Sequence, residues 1–367
     1  MKKSLLLVLA VVAMPWPNLQ AESPLAPFVE LHKKNPTIYA NRSRLVRAWV
    51  LSRKLELDAQ SKVARTVAGP IEYKIRGKGP AVICLHGAFG GYDASFQLGE
   101  SLVSKGFTVV AVSRPGYLRT PLSVGQSPEE QADAMIALMD RLGIEQAAVV
   151  GFSAGSLTAF QMAAKFPDRI WACVLQGVGA LPADFEPGGT YEILRALVAD
   201  DGLVVPFDLA SWFLYETARN APKLTANLIL SDDVLTGFPA SELTQRIRYV
   251  LQTPQQSAFL KQFAITLTPY SLRRAGDFND IKDDISIDPW QSWVDAGIPQ
   301  AVTVPVQIIQ AVWDGSGNYE EVRNLIAPNI PGCELVPLQG CGHFVWLGKN
   351  TYAWEKKMQA FLKKHQP

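Results

Sequence analysis

Histidine and cysteine are scarce in this chain, four of each in 367 residues, and formal charge nearly cancels at +1. Each shortage excludes something. Near-neutrality leaves no sequence-wide field to draw in nucleic acid or an anionic surface. The sequence has no basic stretch interleaved with aromatics, no glycine-rich phosphate cradle and no His/Cys cluster at zinc-ligand spacing. Gly177 and Gly179 are too isolated to form a dinucleotide site. No cofactor or metal is therefore expected, and no nucleic-acid partner. Internal repeats and low-complexity tracts are also missing. What is present is ordinary globular material, 48% hydrophobic and 19% charged, enough to bury a core of more than one layer.

The N-terminus reads as Lys2-Lys3, an apolar run over residues 5–14, then Pro15, Pro17 and the small Ala21. A run of about ten residues is half of what a spanning helix needs. Residues 1–21 therefore predict a secretory signal peptide, and the chain is expected to be exported, periplasmic or secreted. A cut after Ala21 leaves Leu19 two positions upstream, bulkier than usual there. Residues 22–62 form an N-terminal extension with a helix over 43–58. Its Leu45, Val46, Trp49 and Val50 are expected to pack on the domain, with Arg42, Arg44, Arg47 and Arg53 in solvent. Contact of this helix with a membrane surface is the competing reading. Export also raises the question of disulfides. Cys84 and Cys173 lie in strand-like apolar runs and predict buried thiols. Cys333 and Cys341 flank a short strand and loop, where a bridge would steady the loop that carries His343.

From residue 63 onward short apolar runs alternate with amphipathic stretches, which predicts an α/β fold with a mostly parallel sheet flanked by helices. Strands are expected at 81–85, 108–112, 147–150, 172–175, 304–312 and 334–336. Ser127-Pro128-Glu129-Glu130 is a capping box with proline at the first helical position, and its helix should run until Gly143. Another helix is expected over 154–166. The alternation stops after Gly179 and resumes near Ala301. Residues 63–180 and 301–367 therefore read as the core, and 181–300 as an inserted, mainly helical cap. Within the cap, Trp212, Phe213, Tyr215, Trp290 and Trp293 are candidates to line a pocket, although most should be cap core.

The chemistry concentrates in four places. Val149-Val150-Gly151-Phe152-Ser153-Ala154-Gly155 sets a serine between a buried strand and a helix, with glycines two positions to either side. Such a turn is so sharp that larger residues at 151 and 155 would strike backbone, while the hydroxyl is raised above the sheet. Ser153 is the expected nucleophile. A hydroxyl needs a base, commonly an imidazole oriented by a carboxylate. His32 and His365 lie in the terminal segments, which leaves His343, on the glycine-rich loop Gly340-Cys341-Gly342-His343-Phe344 after the last strand. Asp314 ends the strand over 304–312 and is the expected acid, with Glu320 and Glu321 as alternatives. An oxyanion needs donors. Ala154 N–H supplies one; the loop His86-Gly87-Ala88-Phe89-Gly90-Gly91 supplies another, from Ala88 or, failing that, Phe89. His86 is expected to hold that loop rather than to move protons.

The order Ser, Asp, His, with an oxyanion loop before them, resembles the α/β-hydrolase superfamily. The resemblance covers residues 63–179 and 301–364. Ser113-Arg114-Pro115-Gly116-Tyr117 and Phe166-Pro167-Asp168-Arg169 are further landmarks. It implies a serine hydrolase, and Ser153 sets the chain apart from the epoxide-hydrolase and dehalogenase branches, which carry a carboxylate at that turn. Asp314-Gly315-Ser316-Gly317-Asn318 departs from the commoner family pattern, where a hydrophobic residue and often proline follow the acid. The reading is a carboxylic-ester hydrolase with a small-molecule acyl substrate. Amide, lactone or carbon-carbon cleavage by the same triad is the alternative, and a ligand-binding protein on a hydrolase scaffold is the reading from another class.

Overall fold

The computed structural model describes residues 36–179, 204–230, 240–282, 289–314, 317–349 and 351–367. The expected leader over 1–21 lies outside these residues, as do His32, Gly315 and Ser316.

Eight strands form one sheet in the order β1-β2-β4-β3-β5-β6-β7-β8. They are β1 (Lys62–Thr66), β2 (Gly69–Gly77), β3 (Ala81–Leu85), β4 (Thr108–Val112), β5 (Ala147–Ser153), β6 (Ile170–Val178), β7 (Val306–Ala311) and β8 (Glu334–Leu338). β1 and β2 run antiparallel at one edge, and β3 to β8 pair in parallel. Because β4 lies on one side of β3 and β5 on the other, the strand order reverses between β3 and β5. Open α/β sheets bind ligands at the carboxyl ends of strands at such a switch point. The oxyanion loop follows β3 and Ser153 ends β5, so the topology alone brings these two motifs to one crevice.

Buried strands expose neither face, and their side chains divide between two cores. Ile83, Leu85, Val149 and Leu175 face one; Val82, Cys84, Val150 and Val174 face the other. Helices α1 (Pro36–Ala59), α2 (Tyr92–Val103), α3 (Pro128–Leu142) and α4 (Ala154–Lys165) precede or punctuate the first six strands. The Ser127 side chain accepts from Glu130 N–H in the expected capping box, and Gly143 closes α3 in the left-handed conformation. Burial pushes the Cys84 thiol up to about 12, which makes it an inert core group.

Three expectations need correction. The β1–β2 hairpin was not anticipated: β1 buries one residue of five, so its apolar signal is weak. On α1 the buried line is Val46, Arg53 and Leu57, whereas Leu45, Leu51 and Leu55 are exposed. Arg53 belongs to the packed side because its guanidinium lies over the Tyr215 ring, 5.0 Å from the centroid, and pairs with Glu56. No helix among the described residues is long and apolar enough to cross a membrane. Finally, no disulfide joins Cys333 to Cys341. Of the seven residues between them, five form β8, an extended span of roughly 16 Å, whereas a disulfide tolerates about 7 Å between Cα atoms.

Between β6 and β7 lie α5 (Val204–Asn220), α6 (Pro222–Leu230), α7 (Ala240–Gln252), α8 (Pro254–Thr266), α9 (Arg274–Lys282) and α10 (Trp290–Asp295). Most of this insert packs above the carboxyl ends of the strands. Arg246 donates to Leu347 O at 2.6 Å, and Gln256 exchanges hydrogen bonds with Gly348 at 2.7 and 3.0 Å. These bonds tie α7 and α8 to the loop that carries His343. The insert's aromatics sort differently. Trp290 and Trp293 pack on Phe160 of α4, with ring centroids 4.8 and 5.4 Å away, and are core rather than pocket. Tyr215 contacts Trp49 and links α5 to α1. The last helix, α11 (Thr351–His365), covers the sheet beside β6 and β7.

Candidate active site

Ser153 sits at the junction of β5 and α4 with φ 51° and ψ −128°, one of three non-glycine residues at positive φ among those described. Such backbone costs about 1–3 kcal/mol and persists only where packing enforces it. The enforcement is visible. A Cβ on Gly151 would lie 2.5 Å from Gly155 O, and one on Gly155 would lie 2.4 Å from His86 O. Both contacts are with backbone, so neither glycine can be enlarged without moving a strand end. Ser156 Oγ donates to Ser153 O at 2.6 Å and steadies the turn. The Ser153 side chain stays half-buried, reachable from the crevice.

His343 Nε2 lies 3.0 Å from Ser153 Oγ. Its Nδ1 lies 3.0 Å from each oxygen of Asp314. The geometry assigns the proton on Nδ1 to Asp314 and leaves Nε2 to accept from the serine hydroxyl. Both partners are buried, His343 at 7% exposure and Asp314 at 6%, so the relay runs through a medium where each hydrogen bond is strengthened. The Phe152 ring lies tilted 4.9 Å from the His343 ring and meets Trp346 edge-on at 4.4 Å. Trp346 is itself anchored, donating to Gln176 Oε1 at 3.1 Å.

The alternatives for the acid are elsewhere. Glu320 is exposed and pairs with Arg323, whereas Asp314 is the carboxylate that meets His343 Nδ1. Sequence reasoning missed Gln310, a fully buried residue of β7. Its Nε2 donates to Asp314 Oδ2 at 2.9 Å and to Gly317 O at 2.8 Å, while its Oε1 accepts from Val178 N–H at 2.7 Å. Gly317 N–H donates to Asp314 Oδ1 at 2.9 Å. That contact needs glycine, because a Cβ there would lie 2.0 Å from Val178 O. The unusual loop after the acid is thus a second grip on the carboxylate. A glutamine inside a buried strand, four residues before an aspartate, was the available signal.

The oxyanion loop crosses above β3 beside the serine. Neither Ala88 N–H nor Ala154 N–H is hydrogen-bonded within the described residues, which is what a donor pair awaiting an anionic oxygen requires. His86 holds the loop from below. Its Nε2 accepts Arg114 N–H at 3.0 Å, so Nδ1 carries the proton and donates to Gly87 O at 2.6 Å. Burial first, and then the Arg114 charge, hold the imidazole well below its ordinary range. His86 therefore stays neutral in the folded protein, while the unfolded chain binds a proton below about pH 6.5. Stability is full above that pH and falls as pH drops below it, by up to about 1.4 kcal/mol per unit from this one group. Urea midpoints between pH 7 and pH 5 should decline more steeply for the parent than for His86→Gln.

A model of the alpha/beta hydrolase fold family matches residues 80–367. The chain belongs to this family. It is 27% identical over 299 residues to YcgS, an uncharacterized hydrolase of Bacillus subtilis (strain 168), across 80% of this chain and 95% of that protein. A 2-hydroxy-6-oxo-6-phenylhexa-2,4-dienoate hydrolase of Comamonas testosteroni is 34% identical over 155 residues. That match spans 41% of this chain and about half, 51%, of the relative. Among solved structures, an alpha/beta hydrolase fold protein from Nakamurella multipartita superposes with a TM-score of 0.70 at 25% identity, over 83% of this chain and 99% of that one. Like its relatives, this α/β-hydrolase is a hydrolase.

Proposed function

We propose that this α/β-hydrolase cleaves carboxylic esters of small molecules through an acyl-enzyme on Ser153. The observation that carries the reading is the unbroken relay from Asp314 through His343 to Ser153 Oγ, each link at 3.0 Å. Ser153 Oγ attacks the acyl carbonyl and its proton passes to His343 Nε2. The carbonyl oxygen becomes anionic facing the Ala88 and Ala154 N–H groups. His343 returns the proton to the departing alcohol, leaving the acyl group on Ser153. Water then attacks the acyl carbon, His343 takes its proton, and collapse releases the acid and restores the serine. Asp314 keeps the imidazole in one tautomer and stabilises the imidazolium formed twice in the cycle. The insert read over residues 181–300 acts as the cap that decides which acyl and alcohol groups enter.

A carbon-carbon bond beside a ketone is the second reading, and the Comamonas relative favours it. Against it stands the disposition of charge. A dienoate substrate carries a carboxylate, yet two buried arginines near the crevice are already ion-paired. Arg114 pairs with Asp280 and Arg273 with Asp93. A neutral acyl substrate fits this arrangement better. The test is a panel of an aryl ester, a lactone, an anilide and a 2-hydroxy-6-oxo-dienoate, compared by kcat/KM. The aryl ester should lead by about 10²-fold or more. A dienoate that leads instead replaces the ester reading with the carbon-carbon one.

A further inference from the structure

Two buried ionisable groups at the start of α9 face the oxyanion loop and take no part in the relay. Arg273, fully buried, donates through Nη1 to Gly90 O at 2.6 Å and to Asp93 Oδ1 at 3.1 Å. Through Nη2 it donates to Asp93 Oδ2 at 2.9 Å and to Thr268 O at 3.0 Å. One turn on, Asp277 is also fully buried, and neither of its oxygens has a hydrogen-bond partner among the described residues. The backbone N–H of Phe89 is close enough to favour the charged form of this carboxyl group, short of a hydrogen bond. Phe89 has φ 59°, a conformation that its side chain does not favour and that its surroundings must impose.

The loop has no slack. A Cβ on Gly90 would lie 2.6 Å from the His86 ring, and one on Gly91 would lie 2.5 Å from Arg273 Nη1. α9 is equally constrained from its other side. Gly276 N–H donates to Gly116 O at 2.8 Å, Leu118 N–H donates to Leu272 O at 2.8 Å, and the Tyr117 hydroxyl donates to Asp280 Oδ2 at 2.6 Å. A rigid piece of the insert thus presses two polar groups against consecutive residues of the loop that carries Ala88.

We propose that Arg273 and Asp277 are positioning residues for the oxyanion hole: Arg273 holds the Gly90 carbonyl, Asp277 meets the Phe89 N–H, and the preceding Ala88 N–H is thereby aimed at the acyl oxygen. The inference rests on the serine-hydrolase reading above and gives the insert a second task beside substrate selection. Burial and the neighbouring Asp280 push the Asp277 carboxyl well above the usual carboxylate range. Asparagine reproduces the shape of this carboxyl group and keeps an acceptor oxygen without its charge.

The test measures kcat and KM on an aryl ester, and the rate at which a fluorophosphonate labels Ser153, in the full chain. Losing one oxyanion donor outright typically costs 10²- to 10³-fold, so misaiming one should cost about 10- to 10²-fold. Asp277→Leu and Arg273→Lys are expected to lower kcat by that factor with little change in KM, and to slow labelling in proportion. Asp277→Asn should recover most of what Asp277→Leu loses. Should Asp277→Leu not fold, Asp93→Asn, which loosens one half of the Arg273 fork, carries the same expectation at smaller size. Variants that keep parental kcat and labelling rate, that change KM alone, or in which asparagine rescues nothing overturn the inference while Ser153 remains the nucleophile. A parent chain that the probe does not label at Ser153 overturns the serine reading itself, and this one with it. A parent that is labelled but spares esters leaves the labelling rates to decide.

Discussion

Ser153→Ala lowers kcat on an aryl ester by about 10⁵- to 10⁶-fold, and adding His343→Ala to it lowers kcat little further. The expectation follows from the relay being a single device. In the proposed mechanism His343 Nε2 takes the proton of Ser153 Oγ, 3.0 Å away, and without that hydroxyl there is nothing for the imidazole to activate in the acylation step. What remains is the residual acceleration that the Ala88 and Ala154 donors and substrate binding provide, about 10³-fold over water in comparable sites. The check is the complete cycle of two single variants and the double variant, with thermal unfolding to show that each is folded. Removing Ser153 also relieves a strained position only if the turn relaxes, and the Gly151 and Gly155 contacts prevent that. Losses that multiply across the two sites would separate the functions of Ser153 and His343. Fluorophosphonate labelling that persists in Ser153→Ala would remove the serine from the mechanism.

Much of this site was legible in the sequence because its parts are local. The elbow is a strand, a turn and a helix in the seven residues 149–155; Gly151 records a steric necessity within the turn itself, whereas Gly155 records the approach of the chain that follows β3. Asp314 lies three residues beyond the buried strand β7 and His343 five beyond the edge strand β8, and the order of strands in a parallel sheet brings their ends to one edge. The capping box of α3 is local in the same way. Where the reading fell short, the cause was long-range. Leu45 and Arg53 exchanged places relative to expectation because α1 packs on Tyr215, which lies more than 160 residues away in sequence. Arg273 reaches Gly90 across 183 residues, and no pattern within the insert announces the contact. The β1–β2 hairpin is an edge feature with little apolar surface. Gln310 stands between these cases: its neighbourhood with Asp314 is local, but its value depends on Val178 N–H, from another strand.

Asp314→Asn is the second large effect, and the geometry says why an isosteric change should cost about 10⁴-fold in kcat. Each Asp314 oxygen already accepts from a fixed donor besides His343: Gly317 N–H at Oδ1 and Gln310 Nε2 at Oδ2, both at 2.9 Å. An asparagine amide must turn its NH₂ toward one of them, donor against donor. Gln310 cannot flip to relieve the clash without setting its own NH₂ against Val178 N–H and abandoning Gly317 O. The strain is then relieved at the imidazole, which turns or changes tautomer and withdraws Nε2 from the serine. Gln310→Leu tests the same grip from the other side. It leaves Val178 N–H and Gly317 O buried without this partner, at about 1–3 kcal/mol each in stability, and frees one edge of the carboxylate while Gly317 still holds the other. The expected loss in kcat is about 10-fold, well below that of Asp314→Asn. Measuring kcat and the unfolding free energy on both variants separates the two roles: Asp314→Asn should be chiefly a kinetic lesion, and Gln310→Leu chiefly one of stability. If Gln310→Leu instead matches Asp314→Asn in kcat, the glutamine is as necessary to the orientation of His343 as the carboxylate that it holds.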